Sequence, residues 1–177
     1  MKKAFVTIGV LLGVGILGYF ALQLFKMNTK KYSPETASTY QKDGWDLQVQ
    51  FCQPSKKGRV IFGELVPFNE VWRTGANEAT MFTTNKDITF DGKVLKAGSY
   101  SIFTIPKANE WEIIFNAETE QWGTQYNPSE NVLKTKAKLE TAPEVTEIFT
   151  IIFEEAGNIP QLVLLWDQAR VVLPLEG

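Results

Sequence analysis

The chain has 177 residues, 44% hydrophobic and 21% charged, ordinary globular usage that supports a packed core and suits one domain with a small appendage. Five lysines and no acid fall in the first 31 residues, so 13 basic and 20 acidic side chains remain beyond them, a net charge of −7 that speaks against nucleic-acid binding. There is no histidine, which excludes His-based triads and His zinc sites, and a single cysteine, Cys52, excludes an intrachain disulfide.

Residues 4–25 carry no charge and lie between Lys2, Lys3 and Lys26. At ~1.5 Å per residue a helix of this length spans roughly 33 Å, enough for a hydrocarbon core of ~30 Å. The run has no small-residue cleavage site at its end, where Ala21-Leu22-Gln23-Leu24-Phe25 stands, so it reads as an uncleaved transmembrane anchor rather than a signal peptide. The lysine count is nearly balanced across the span, and the three-residue tail before it suits a signal-anchor with the domain on the periplasmic side. Gly9 and Gly13 have the spacing that lets two membrane helices approach, which offers a homodimer contact, although glycine is common in spans in any case. The partner expected for residues 4–25 is the lipid bilayer.

The expected organisation is an anchor over 1–27, a polar linker over 28–44 and a β domain over 45–177. In the domain, Trp45, Leu47, Val49 and Phe51 alternate with Asp46, Gln48, Gln50 and Cys52, the pattern of a half-buried strand. Short strands are expected at 59–63, 80–84, 99–105, 111–115, 133–139, 147–154, 161–167 and 169–175. Asp91-Gly92 between 88–90 and 93–95 reads as a tight hairpin turn. The one helix candidate is short, 116–121. Roughly ten short strands with regular turns imply a mainly β fold, an antiparallel β-sandwich or flattened barrel, preceded by one transmembrane helix.

The segment Val71-Trp72-Arg73-Thr74-Gly75-Ala76-Asn77-Glu78-Ala79-Thr80 concentrates polar chemistry between two strands. Arg73, Asn77 and Glu78 form the candidate ligand site: a guanidinium fork for a carboxylate, phosphate or sugar hydroxyl, with Asn and Glu completing the bonding. The plainer alternative is an internal Arg73–Glu78 ion pair that ties the loop down, with Trp72 in the core. Cys52 has Lys56, Lys57 and Arg59 nearby, which can activate a thiol, but no histidine is available as a base and a bystander thiol is the better reading. Of five tryptophans, Trp45, Trp111 and Trp166 sit among apolar neighbours and read as core. Trp122, in a polar Gly-containing loop, is the candidate surface platform for a ligand. No cofactor or metal is expected, because the sequence has no phosphate-cradling glycine loop, no cysteine pair and no acidic cluster with calcium-loop spacing.

Three segments in order, Phe51-Cys52-Gln53-Pro54-Ser55, then 71–80, then Lys96-Ala97-Gly98-Ser99-Tyr100-Ser101-Ile102-Phe103-Thr104-Ile105-Pro106, resemble an uncharacterised bacterial family, the domain of unknown function 2911, from about residue 33 to the carboxyl end. The resemblance implies an exported, β-rich envelope domain and supplies no catalytic residue. It also implies an export signal, which agrees with the outward orientation, whereas this chain has a longer apolar run without a cleavage site. The expected function is therefore a membrane-tethered binding or structural module of the envelope, with an envelope ligand or protein as partner. The alternative is an envelope hydrolase that uses Glu78 with Arg73 as electrophilic support.

Overall fold

The computed structural model describes residues 2–177, with side chains from residue 12 onward, and it divides into two compact units at Tyr32/Ser33. The first is helix α1 (Lys2–Lys30), in which Leu12, Leu17, Phe20 and Leu24 are all exposed. Thr29 Oγ1 donates to Lys26 O at 2.8 Å near its end. Part of the expected span, residues 4–11 with Gly9, lies outside the described side chains. Among the described residues no helix is long and apolar enough to cross a membrane.

The second unit is mainly β, with nine strands among the described residues: β1 (Glu35–Lys42), β2 (Trp45–Cys52), β3 (Thr80–Thr84), β4 (Ile88–Phe90), β5 (Lys93–Leu95), β6 (Gly98–Pro106), β7 (Glu110–Asn116), β8 (Asn131–Ala156) and β9 (Ile159–Pro174). Seven form one antiparallel sheet in the order β1-β2-β3-β6-β7-β8-β9, and β4-β5 is a separate hairpin. Alternation works as expected in β2, where Leu47, Val49 and Phe51 are buried and Asp46, Gln48 and Gln50 are exposed. The hairpin turn also forms, with Asp91 at φ 50° and Gly92 at φ 75° supplying the two positive angles.

Several expectations are corrected. The stretch expected as a linker, 28–44, contains the end of α1 and strand β1, whose Ser38 and Tyr40 pair with Val49 and Leu47. Residues 59–63 form turns rather than a strand, because Lys57 (φ 51°), Gly58 (φ 70°) and Gly63 (φ 98°) bend the chain. Residues 116–121 form no helix, and a 3-10 turn, Pro128–Glu130, lies further on. The strands expected at 133–139 and 147–154 are both part of β8, which continues through register shifts at Thr141/Thr146 and Thr146/Thr150. Those expected at 161–167 and 169–175 merge in the same way into β9, where Asp167 (φ 53°) marks an irregularity rather than a chain reversal.

The sheet does not split into a sandwich but curls into a half-barrel, so that β1 approaches the second half of β8. Beyond β2, the chain completes this curl with backbone bonds: Phe149 N donates to Pro54 O at 2.9 Å and Lys56 N to Glu147 O at 2.7 Å. Along β1 the seam is held by side chains. Ser38 Oγ donates to Ile151 O at 2.6 Å, Tyr40 OH to Glu155 Oε1 at 2.8 Å, and Lys42 Nζ pairs with Glu155 Oε2 at 2.7 Å.

The concave side buries the main core. At its centre Trp72 stacks on Trp166 with ring centroids 5.7 Å apart, and meets Phe149 edge-on at 5.2 Å. A second, smaller cluster of Ala79, Phe103 and Ile114, joined by Ile105 and Tyr126, lies apart from this core. Phe103 follows Ile102 in β6, so the two side chains point to opposite faces of the sheet, and β6 and β7 are buried on both.

Candidate functional site

The site begins where the sheet is interrupted. Trp72 pairs with Thr104 of β6 through two backbone bonds, N to O at 2.7 Å and the reverse at 2.9 Å. The chain then leaves the ladder and rejoins it at Thr80, opposite Ile102, so residues 73–79 form a wide loop beside β6. Its backbone needs unusual angles: Thr74 at φ 56°, Gly75 at φ 139° and Asn77 at φ 59°. A β-branched residue such as Thr74 is strained there, at about 1–3 kcal/mol, and strain of this kind gathers at sites that hold ligands. Gly75 is required, because a Cβ on it would lie 3.0 Å from Cys52 O.

Hydrogen bonds hold the loop in place. Thr80 Oγ1 donates to Thr74 O at 2.6 Å, Thr74 Oγ1 to Thr104 Oγ1 at 3.1 Å, and Asn77 Nδ2 to Ser33 O at 3.2 Å. Across it, Ala79 N donates to Gln121 O at 3.1 Å and Gly123 N to Asn77 O at 2.8 Å. Residues 121–123 are thereby clamped against 77–79, and a groove opens beside the clamp.

The groove has a volume of about 310 Å³ and is lined by Val71, Trp72, Arg73, Phe103, Gly123, Thr124 and Tyr126. Phe103 and Tyr126 lie with ring centroids 4.7 Å apart, and Tyr126 OH accepts from Asn131 Nδ2 at 2.7 Å. Arg73 is the one charged side chain in the lining. Its stem lies against Gly123, where a Cβ would come within 2.6 Å of Arg73 Cδ. Its Nε donates a long bond, 3.4 Å, to Gly75 O. Burial lowers the guanidinium's pKa below its ordinary value, with the nearby Cys52 a lesser, opposing influence. Arginine nonetheless stays protonated at neutral pH. Among the described residues Arg73 and Glu78 form no ion pair.

Residues 33–175 match the family model described as Protein of unknown function (DUF2911). The chain belongs to this family. No curated protein and no solved structure matches it. The match covers the whole β unit of this DUF2911 protein apart from its last two residues, and it leaves α1 outside.

Of the four residues singled out in the sequence, only Arg73 lines the groove of the DUF2911 domain. Asn77 is buried and supports the loop through Ser33 and Gly123. Glu78 turns elsewhere: its Oε2 accepts from Cys52 Sγ at 3.8 Å, and its backbone bridges Trp122. Trp122 is half-buried in that bridge rather than a free platform. Cys52, expected on the polar face of β2, is buried at 3% exposure. Among the described residues no group of three His, Cys, Asp or Glu is placed to hold a metal ion.

The lining residues that sequence reasoning missed include Phe103, Gly123 and Tyr126. Phe103 left a signal. In 99–105 both alternating sets carry large apolar side chains, Tyr100 and Ile102 on one and Phe103 and Ile105 on the other. A strand apolar on both faces requires a covering layer outside the sheet, and the 121–126 segment is part of that layer.

Proposed function

We propose that this protein is an extracytoplasmic binding module, tethered to the membrane by its amino-terminal segment, whose groove holds an anionic ligand on Arg73. The observation that carries the reading is Arg73 itself: a partly desolvated guanidinium in a groove, with a single long hydrogen bond and no ion pair to Glu78. Holding an unpaired cation in partly buried surroundings costs free energy that a ligand's negative charge would recover. The tether rests on the uncharged run 4–25 and the exposed apolar side chains of α1. The outward orientation rests on the charges of Lys2 and Lys3 before that run.

A hydrolase that used Glu78 with Arg73 would need both groups at one substrate. The groove lining contains Arg73 but neither Glu78 nor any other carboxylate or lysine, which supports binding over catalysis. The test is retention of small molecules. Full-length protein and its Arg73→Lys variant are dialysed against a small-molecule extract of the native envelope, and the retained compounds are identified by mass spectrometry. Anions retained by the wild type and lost from the variant are expected, since lysine lacks the planar two-pronged donor. Equal retention by both proteins would remove Arg73 from any binding role.

A further inference from the structure

The same groove, granted that it binds an anion at Arg73, narrows what that anion is. We infer that its ligand is a small organic monocarboxylate whose apolar body is about the size of one ring.

Three observations lead there. The first is size. A groove of about 310 Å³ lies at the small end of ligand sites, which run from roughly 300 to 1,000 Å³. The part of a ligand that such a groove encloses is nearer in size to one ring than to a nucleotide or an oligosaccharide.

The second is charge. Arg73 is the one ionic side chain in the lining, and the domain around it is acidic overall, with 13 basic against 20 acidic residues after position 31. A carboxylate carries one negative charge and matches the guanidinium fork in a two-bond arrangement. A phosphate dianion would bring a second charge that nothing in the groove neutralises.

The third is the wall chemistry. Val71, Phe103 and Tyr126 share the lining with Arg73, and Phe103 and Tyr126 bring their rings together at 4.7 Å. An ion whose apolar body is a single methyl group, acetate, would leave most of that surface in contact with water. A ring or short branched chain covers it. Thr124, at the exposed rim, is the one hydroxyl in the groove besides that of Tyr126, whose oxygen already accepts from Asn131.

The chain has three arginines, Arg59, Arg73 and Arg170, so the Arg73 side chain can be watched directly. The full-length chain, labelled with ¹⁵N-arginine and held in neutral-lipid nanodiscs, is titrated with benzoate, benzamide, acetate and inorganic phosphate. The Arg73 Nε signal is identified by its loss in Arg73→Lys. Benzoate is expected to shift that signal saturably, at concentrations at least about tenfold below those needed with benzamide or acetate. Because the readout is a single side chain, partition of a probe into lipid does not mimic it. A response to phosphate at lower concentration than to benzoate would overturn the carboxylate assignment and leave the anion reading standing. Equal responses to acetate and benzoate would overturn the apolar body alone. Equal responses to benzamide and benzoate, or no response to any of the four, would overturn both.

Discussion

Gly123 and Arg73 illustrate how much of this site depends on single atoms. The Arg73 stem occupies the space that any side chain at 123 would need, and Asn77 O closes it from another side at 2.9 Å. A Gly123→Ala variant must therefore displace the arginine or open the clamp between 121–123 and 77–79. Overpacking of this kind costs about 1–3 kcal/mol, so a lower melting temperature is expected together with a moved Arg73 side-chain signal. An unchanged melt would mean that the clamp yields freely. Cys52 offers a second check at this scale. With its thiol 3% exposed, a maleimide should label the folded protein far more slowly than the urea-unfolded one, as fits a bystander rather than a reactive thiol. Equal labelling rates in the two states would contradict the burial of β2's inner end.

Among the elements, β1 and β8 meet along a seam whose hydrogen bonds and ion pair converge on Glu155. The Lys42 and Tyr40 hydrogen bonds hold the Glu155 carboxyl below its usual pKa, and hydrogen bonding to Glu155 raises that of Lys42. A depressed carboxylate contributes stability above its unfolded pKa and loses it as pH falls through the folded value. The raised lysine contributes below its unfolded pKa and loses it as pH rises through the folded one. The seam should accordingly be tight across the neutral range and loosen both in acid, below the ordinary glutamate range, and in strong alkali, above the ordinary lysine range. Amide hydrogen exchange of β1, corrected for the intrinsic effect of pH, measures this. Glu155→Gln should flatten the acid limb, and an acid limb that survives in this variant would place its origin elsewhere.

The same elements show what could be read from the sequence. Strands with one apolar face, such as β2 and the β4-β5 hairpin, were legible because alternation and an Asp-Gly turn report local geometry. Strand β1 was not. Its Glu35-Thr-Ala-Ser-Thr-Tyr-Gln-Lys42 pattern is mostly polar, with no apolar alternation, and it is a strand because β2 and the seam pair with it. The 147–154 segment was recognised as strand but not as the continuation of 133–139, since a bulge that lets the chain pass Pro143 without reversing looks like a turn on paper. Arg73 was found by its chemistry. Its groove was not, because Phe103 of β6 and Tyr126 of the 121–126 segment come together only in the folded chain.

For the molecule as a whole, the proposed tether has the plainest consequence. If residues 4–25 span the bilayer, the protein stays in the membrane fraction through high-salt and alkaline washes and its mature form begins near Met1. A soluble form that begins between Phe20 and Tyr32 would show instead that the segment is a cleaved export signal. On the proposed reading Arg73 serves a ligand and not the fold, and denaturation of the whole molecule separates these roles most directly. Urea unfolding of Arg73→Ala and Glu78→Ala is measured beside the wild type. Because the two side chains form no ion pair, Arg73→Ala should cost about 1 kcal/mol or less, the loss of its stem packing against Gly123. A loss of about 3–5 kcal/mol in both variants, the signature of a stranded buried charge, would make Arg73 and Glu78 a structural pair and contradict the ligand site.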